Sequence, residues 1–433
     1  MNRRVVVTGV GVISPIGIGA SAFWQNLLAG KSGVRKIAQF DPTGFSCHIA
    51  GEIETYKIGD YVPKSYRKAT KVMARDIELA VVAADDAFKD AGIKTKAYTD
   101  APEITAERFG CNIGAGLISA ELNELTGAMH VAREQNKLDL HKWGREGMGQ
   151  LTPLWLLKYL PNMLACHVTI IHELKGPSNT ITCADASSHL AIGEAFRTIQ
   201  RGKADLAICG GAESKLNPMG MLRQTLLKRL TETGNENPAQ AVKPFDAEAD
   251  GCVIGEGGGL LILEEYEHAK QRNAKIYAEL VGFGASQDTY QINAPCPTGD
   301  SYGKAISKAL ADANIPPAGV DLLLPTGLGI PSHDQAELNG LTQVFGAGLE
   351  RVAMAPIKGQ IGNLAAGSGA EAVAAVKSIA DRKVPPAANT KKLADGRKLN
   401  VNRETRDAGV NVAVTSVYSL GGQNAALVFR KMN

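Results

Sequence analysis

Short, continuously apolar runs alternate along the chain with longer stretches of helical spacing. Arg4–Gly9, Phe109–Gly116 and Ala204–Gly211 are apolar at consecutive positions, which is typical of strands buried in a central sheet. Residues 64–92 and 303–314 instead carry apolar side chains three and four positions apart, which predicts amphipathic helices. Strands that alternate with helices in this way predict an α/β fold.

The second part of the chain repeats this order. Lys275–Gly284 is a strand that runs into glycines, as Arg4–Gly11 does at the start. Further buried strands are expected at Asp321–Leu324, Ala353–Pro356, Asn411–Ser416 and Ala425–Phe429. The internal sequence similarity is too weak to demonstrate a duplication on its own.

Residues 176–202 predict a strand, a sharp turn and a helix. Asn179–Thr182 favours a strand, Ala186–Arg201 has helical spacing, and Gly202 ends the helix. Many enzymes place a nucleophile at such a corner, because the dipole and free N–H groups of the helix N-terminus stabilise negative charge. Here the corner carries Cys183 and Asp185.

Composition narrows the possible functions. The chain has 433 residues, 44% of them hydrophobic and 21% charged, which is typical of a soluble globular protein. Its net charge of +3 favours neither nucleic acid nor a membrane surface as partner, and there is no apolar run of 18 residues. The N-terminus lacks the apolar core of a signal peptide. Seven cysteines without metal-ligand spacing predict reduced thiols, a cytoplasmic location and no metal site. The glycines after Lys243 match neither a dinucleotide-binding loop nor a phosphate-binding loop, and no cofactor is expected.

Several segments resemble the β-ketoacyl synthases of the thiolase superfamily. They are the opening VVVTGVGVISPIG, the Gly-Pro-Ser at 176–178 with Ile192-Gly193, and KPFDAEADGCVIGEGGG from Lys243. Within that family the chain is most similar to the chain-length factors, or ketosynthase β-subunits, of type II polyketide synthases. The resemblance implies a thiolase-like five-layered α-β-α-β-α sandwich with two duplicated halves, 1–263 and 264–433.

The resemblance also implies where catalytic groups would lie. Ketosynthases use a cysteine nucleophile, two histidines and a lysine. Counting from either flank places the nucleophile position at Asp185. Thr326 and Asn363 replace the two histidines, Lys358 is retained, and Leu420 takes the place of a gating phenylalanine.

Other interpretations of these residues remain open. Asp185 suits a helix N-cap, or it could mimic an acylated nucleophile. Cys183 could act as a shifted nucleophile, although a buried strand thiol is the simpler interpretation. His333 is interpreted as a loop histidine.

Because the family's cysteine and histidines are replaced, we expect no catalytic residue and no enzymatic activity of the chain on its own. The resemblance implies a chain-length factor that forms a heterodimer with a catalytic ketosynthase. It would shape the acyl tunnel for polyketide or polyene elongation on an acyl carrier protein with a phosphopantetheine-bound chain. The expected tunnel and interface residues are Leu117, Leu122, Asn123, Trp155 and Leu420.

Two alternatives to this function are a malonyl-carrier-protein decarboxylase that supplies starter units and a purely stabilising scaffold. Residues 117–150 are the least family-like part of the chain. They could line the tunnel, or 131–150 could be a solvated surface loop.

Overall fold

The computed structural model describes residues 3–394 and 396–432. The strands are β1 (Val5–Ser14), β2 (Gly17–Ile18), β3 (Val34–Lys36), β4 (Ile49–Gly51), β5 (Phe109–Ala115), β6 (Arg133–Glu134), β7 (Lys137–Leu138), β8 (Ser178–Ile181), β9 (Leu206–Ser214), β10 (Glu256–Glu265), β11 (Ala278–Gln287), β12 (Leu322–Leu324), β13 (Ala353–Met354), β14 (Lys383–Val384), β15 (Asn400–Val401), β16 (Arg406–Asp407), β17 (Val412–Tyr418) and β18 (Gln423–Arg430).

The helices are α1 (Ala20–Leu28), α2 (Arg75–Asp90), α3 (Leu122–Val131), α4 (Leu140–Lys142), α5 (Met163–His172), α6 (Ser187–Gln200), α7 (Pro218–Leu226), α8 (Tyr266–Gln271), α9 (Asp300–Asp312), α10 (Pro331–Phe345), α11 (Lys358–Ile361) and α12 (Gly369–Asp381).

The main sheet contains the same strand topology twice. Within the described residues its order is β15-β13-β12-β17-β18-β11-β1-β10-β9-β5-β8, with β2 paired to β1. In the first half β8, β5 and β9 are parallel, and β10 and β1 follow as antiparallel strands. In the second half β13, β12 and β17 are parallel, followed by antiparallel β18 and β11. Antiparallel pairing of β1 with β11 joins the two halves.

Helices cover the outer face of each half and also separate the two halves, which gives five alternating layers of helices and strands. α2 and α5 pack on the outer face of the first half, and α9 lies against β11 and β18 on the outer face of the second, with α10 packed on α9. α6 and α12 contact strands of both halves, so they form the central layer. The predicted thiolase-like fold with duplicated halves is confirmed. The boundary at 263/264 stays a prediction, and β10 runs to Glu265.

The buried strands lie where the apolar runs predicted them. The continuous helix predicted over 64–92 is wrong, because residues Lys64–Val72 form a 3-10 helix and α2 begins only at Arg75. Met73 and Ala74 between them are extended. Arg75 pairs with the buried carboxylate of Glu256 (2.7 Å), and this tertiary contact fixes where α2 starts.

Candidate active site at the strand-to-helix elbow

The chain turns sharply between β8 and α6. Ala184 adopts a left-handed backbone conformation with φ of +46°, which is rare for a residue with a side chain. The Ser187 hydroxyl accepts a hydrogen bond from the Cys183 N–H (2.8 Å) and lies 2.7 Å from the Ala184 carbonyl oxygen. Ser187 therefore stabilises the turn.

Asp185 does not cap α6, contrary to the N-cap interpretation. It lies inside the 3-10 turn Ala184–Ala186, only 2% exposed, and its Oδ1 accepts no hydrogen bond from a described residue. Its carboxylate is therefore directed into the protein, where its charge must be balanced by other groups.

Positive charges surround the Asp185 carboxylate. Burial by itself raises the pKa of this carboxyl group, but nearby groups, first Lys215 and Arg229, together outweigh burial and hold the pKa below its usual value. Hydrogen bonding from Asn363 and the charge of Lys358 act in the same direction. Asp185 is thus an ionised, buried carboxylate.

Two of these cations have acidic partners of their own. Lys215 forms an ion pair with Glu213 (3.0 Å), which also accepts the Ala366 N–H (2.8 Å). Lys358 is paired with Glu371, and both side chains are almost completely buried. The retained lysine is therefore held in place by a buried charge pair.

The two positions that replace histidines are both buried. The Thr326 hydroxyl donates to the Ser416 carbonyl (3.3 Å), and its N–H donates to Glu337 (2.7 Å). Asn363 Oδ1 accepts the Ala365 N–H at 3.1 Å. Asn363 lies at Asp185, whereas Thr326 is bonded to β17 and α10.

The structure corrects the interpretation of His333 and adds Arg229, which the sequence missed. His333 lies on α10, is 5% exposed, and has its ring 5.9 Å from the Tyr418 ring, so the loop interpretation is wrong. Burial, and then Arg229, lower the pKa of His333 to about 4, while Asp185 opposes them. Arg229 is buried and donates to the neutral Gln224 (3.2 Å). Pro331, a favoured first residue of a helix, was the available signal for His333; Arg229 had none.

Cys183 is poorly suited to be a nucleophile. It packs beside the buried cluster of Ala186, Val417 and Ala425. Burial raises the pKa of its thiol, which disfavours the reactive thiolate.

A pocket of about 480 Å³ opens beside the elbow. Thr182 and Ala184 line it at the elbow, and two predicted tunnel residues, Leu117 and Leu420, lie in its wall. Leu122 lines a different pocket, of about 640 Å³, on α3 and the β6–β7 hairpin.

The other two predicted tunnel residues line neither pocket. Asn123 is exposed, and Trp155 is half-buried with its ring 5.7 Å from that of Tyr159. A tunnel role for the five residues stays a prediction.

The described residues offer neither a metal site nor a membrane-spanning helix. In the ranges 3–394 and 396–432 no three His, Cys, Asp or Glu side chains are grouped so that they could hold a metal ion. Every helix in the same part of the chain is too short or too polar to cross a bilayer.

The duplicated sandwich and the elbow facing a pocket define a thiolase-like protein. Residues 2–269 match the N-terminal domain of β-ketoacyl synthases, and residues 277–391 match the C-terminal domain. The chain therefore belongs to the β-ketoacyl synthase family.

Relatives and solved structures match along the whole chain. It is 35% identical to 3-oxoacyl-[acyl-carrier-protein] synthase 2 of Synechocystis, covering 99% of this chain and 98% of the relative. It is 34% identical to the enzyme of the same name from Vibrio cholerae, covering both completely. A type II polyketide ketosynthase in complex with its acyl carrier protein (AntDE:AntF) is 28% identical, with a TM-score of 0.85 and full coverage of both chains. The ishigamide ketosynthase/chain length factor is 26% identical, also with a TM-score of 0.85 and full coverage.

These relatives correct the functional prediction. At 34–35% identity over the full length they are 3-oxoacyl-[acyl-carrier-protein] synthases, which are catalytic. The prediction of an inactive chain-length factor, and of a chain that is not an enzyme, is therefore wrong. The two alternatives, a malonyl-carrier-protein decarboxylase and a purely stabilising scaffold, rested on the same replaced residues and are not retained.

Proposed function

We propose that the chain is an acyl-carrier-protein-dependent enzyme of the 3-oxoacyl-[acyl-carrier-protein] synthase class. It joins an acyl thioester to a malonyl thioester, with the acyl carrier protein as partner. The similarity to catalytic synthases from end to end is the observation that carries this proposal. The pocket beside the elbow supports it, since an acyl group can enter there next to residue 185.

The residue at the elbow sets the route of the reaction. Acyl transfer to the Asp185 carboxylate would give a mixed anhydride, which is far more easily hydrolysed than a thioester. We therefore infer that the acyl group stays on its carrier thiol. The malonyl thioester loses carbon dioxide, and the enolate carbon attacks the acyl carbonyl. The acyl C–S bond then breaks and the released thiolate takes up a proton, which leaves a 3-oxoacyl thioester, carbon dioxide and a free carrier thiol.

The charges around the elbow suit this route. Enolate formation places negative charge on an oxygen, and fixed cations and amide donors in a buried site stabilise such charge strongly. Arg229 forms no close ion pair with a described residue and faces the carboxylate of Asp185 only through its longer-range charge, so the buried guanidinium can also stabilise the charge of the enolate. Asn363 adds an amide donor beside residue 185.

The test is product analysis with loaded carriers. Octanoyl carrier protein and malonyl carrier protein are incubated with the protein, and 3-oxodecanoyl carrier protein and carbon dioxide are measured by mass spectrometry. We expect both products in equal amounts, no mass increase of this chain, and an unchanged rate for Cys183→Ala. Arg229→Gln should slow the reaction at least tenfold. Absence of product with folded protein contradicts the enzyme class, and an acyl adduct on the chain contradicts the direct route.

We further propose that the protein works as one subunit of a two-subunit assembly. β8 is one of the two edge strands of the main sheet in the described residues, and Ser178 and Asn179 on it are exposed, which suits pairing with a second ketosynthase-fold subunit. The partner predicted from the sequence, a catalytic ketosynthase in a heterodimer, remains the proposed one. Native mass spectrometry of the chain alone and co-expressed with a ketosynthase distinguishes a homodimer from a heterodimer.

A cytoplasmic location remains part of the proposal. The seven cysteines are all unpaired, which suits a reducing compartment.

A further inference from the structure

The pocket beside the elbow, already described as the entry for the acyl group, combines apolar walls with an arginine. Leu117, Leu226, Leu227 and Leu420 supply apolar surface. Arg223, on α7, lines the same pocket and is half-buried. Its Nη1 donates to the neutral Ser119 hydroxyl (2.8 Å), and it forms no ion pair with any described residue. A guanidinium beside apolar surface without a counter-ion is a favourable place for an anion.

The second cation in the pocket is not available in the same way. Lys215 is held by Glu213 at 3.0 Å and also interacts with Asp185. Arg223 is therefore the cation with donors left for a ligand. It lies on α7 with Leu226, which is 73% exposed, whereas Thr182 and Ala184 line the pocket at the elbow.

We propose that this pocket selects an acyl chain that ends in a carboxylate. The thioester lies at the elbow, the methylene groups lie against the leucines, and the distal carboxylate pairs with Arg223. An alkyl chain of the same length would contact the same leucines but leave the guanidinium of Arg223 without a counter-ion. This inference rests on the proposed function, in that acyl thioesters enter at the elbow.

The test measures binding and not turnover. Titration calorimetry compares suberyl-pantetheine with octanoyl-pantetheine, which have the same number of acyl carbons and differ in the terminal carboxylate. We expect the suberyl thioester to bind at least about tenfold more tightly, as a charge-assisted hydrogen-bonded pair would provide. Arg223→Met should abolish this preference, and Arg223→Lys should retain part of it. Arg201→Met, at an exposed arginine that ends α6, is the matched control and should leave the preference intact.

Other results overturn the proposal. Equal binding of the two thioesters, or a preference that survives Arg223→Met, excludes recognition of the carboxylate by Arg223. Free suberate or octanoate that binds as tightly as suberyl-pantetheine, in an Arg223-dependent manner, would mean that the site captures any carboxylate without the elbow. The calorimetry contains no malonyl thioester and therefore does not depend on turnover. A protein that shows the binding preference here, but forms no 3-oxoacyl product in the separate assay with malonyl carrier protein, would overturn the enzyme proposal alone.

Discussion

Asp185 balances charge that would otherwise be buried without compensation. Arg229 makes its hydrogen bond to the neutral Gln224, and Lys215 already shares Glu213. A carboxylate at 185 therefore stabilises both cations. With the neutral cysteine of the family at this position, other groups would have to balance their charge. The replacement at the elbow and the cations around it form one electrostatic unit.

We expect Asp185→Cys to create an acyl acceptor. The side chain at 185 lies at the start of α6, where a thiol pKa is lowered by the helix N-terminus and nearby cations. Incubation with octanoyl carrier protein should add one octanoyl group to this variant, seen by intact mass spectrometry, and none to the wild type. The adduct should persist in Cys183→Ala/Asp185→Cys and be absent from Asp185→Ser. If it disappears in the double variant, the thiol at 183 is the acceptor and our view of the elbow is wrong.

Asp76 gives the protein a pH-dependent stability. It is buried on α2, with its Oδ1 accepting the Ser214 N–H (3.1 Å). Burial, and then the charge of Glu213, raise its pKa to about 7. Because the folded-state pKa exceeds the ordinary value, its contribution to stability is fully present below about pH 4 and is lost as pH rises through about 7.

Asp76→Asn stays uncharged and should therefore flatten the pH dependence. Urea unfolding of the wild type between pH 4 and 8 should show about 2–4 kcal/mol of stability lost that the variant keeps. Asp100→Asn, at an exposed carboxylate paired with Lys96, is the control and should follow the wild type. Parallel curves for the wild type and Asp76→Asn would show that Asp76 is already ionised at pH 4.

At the scale of elements, the position of α6 depends on a close approach to β11. A Cβ built on Gly193 would lie 2.4 Å from the Phe283 ring, too close for any real contact. The ring of Phe283 packs against both the central core and the cluster beside Cys183. α6 therefore cannot move away from β11 without disturbing the elbow at its own start.

Gly193→Ala should lower the free energy of unfolding by about 1–3 kcal/mol, because overpacking outweighs the better helix propensity of alanine. Gly144→Ala is the control, since a Cβ there meets nothing within 4 Å. Chemical denaturation measures both, and Gly193→Ala/Phe283→Leu should recover part of the loss. Equal stability of the two single variants would contradict the close packing of α6.

The sequence correctly predicted the strands that are buried along their whole length. It failed where contacts between residues far apart in the chain determine the structure. β5 and β9 follow their apolar runs because both faces of these strands are covered by helices. The break before α2 depends on Arg75 meeting Glu256, 181 residues away, so helical spacing alone could not predict it. Motif spacing located Asp185 and Asn363, but Arg229 reaches the site only through the tertiary fold.

At the scale of the whole molecule, the two halves are joined by more than the connecting chain. β1 pairs with β11, and α6 and α12 contact strands of both halves. The two largest hydrophobic clusters each include residues from before and after α8. The protein should therefore unfold as one cooperative unit.

Cutting the connection should not separate the halves. A protease site inserted between Arg272 and Asn273, in the turn after α8, allows cleavage of the folded protein. We expect both fragments to co-elute in size-exclusion chromatography, since the shared sheet and core remain. The uncut insertion variant is the control for any effect of the insertion itself. Fragments that elute separately would show that the interface between halves is weaker than its contacts indicate.

The place of β1 in the sheet has a consequence for biosynthesis. β1 is made first, but its neighbours β10 and β11 begin at Glu256 and Ala278. At a translation rate of about 5–20 residues per second, roughly 12–50 s pass after the synthesis of β1 before β10 or β11 has been synthesised. During that time an apolar segment with unpaired backbone groups is available to other chains. Nascent-chain chaperones should therefore bind this protein early and leave it only after the tenth strand has been translated.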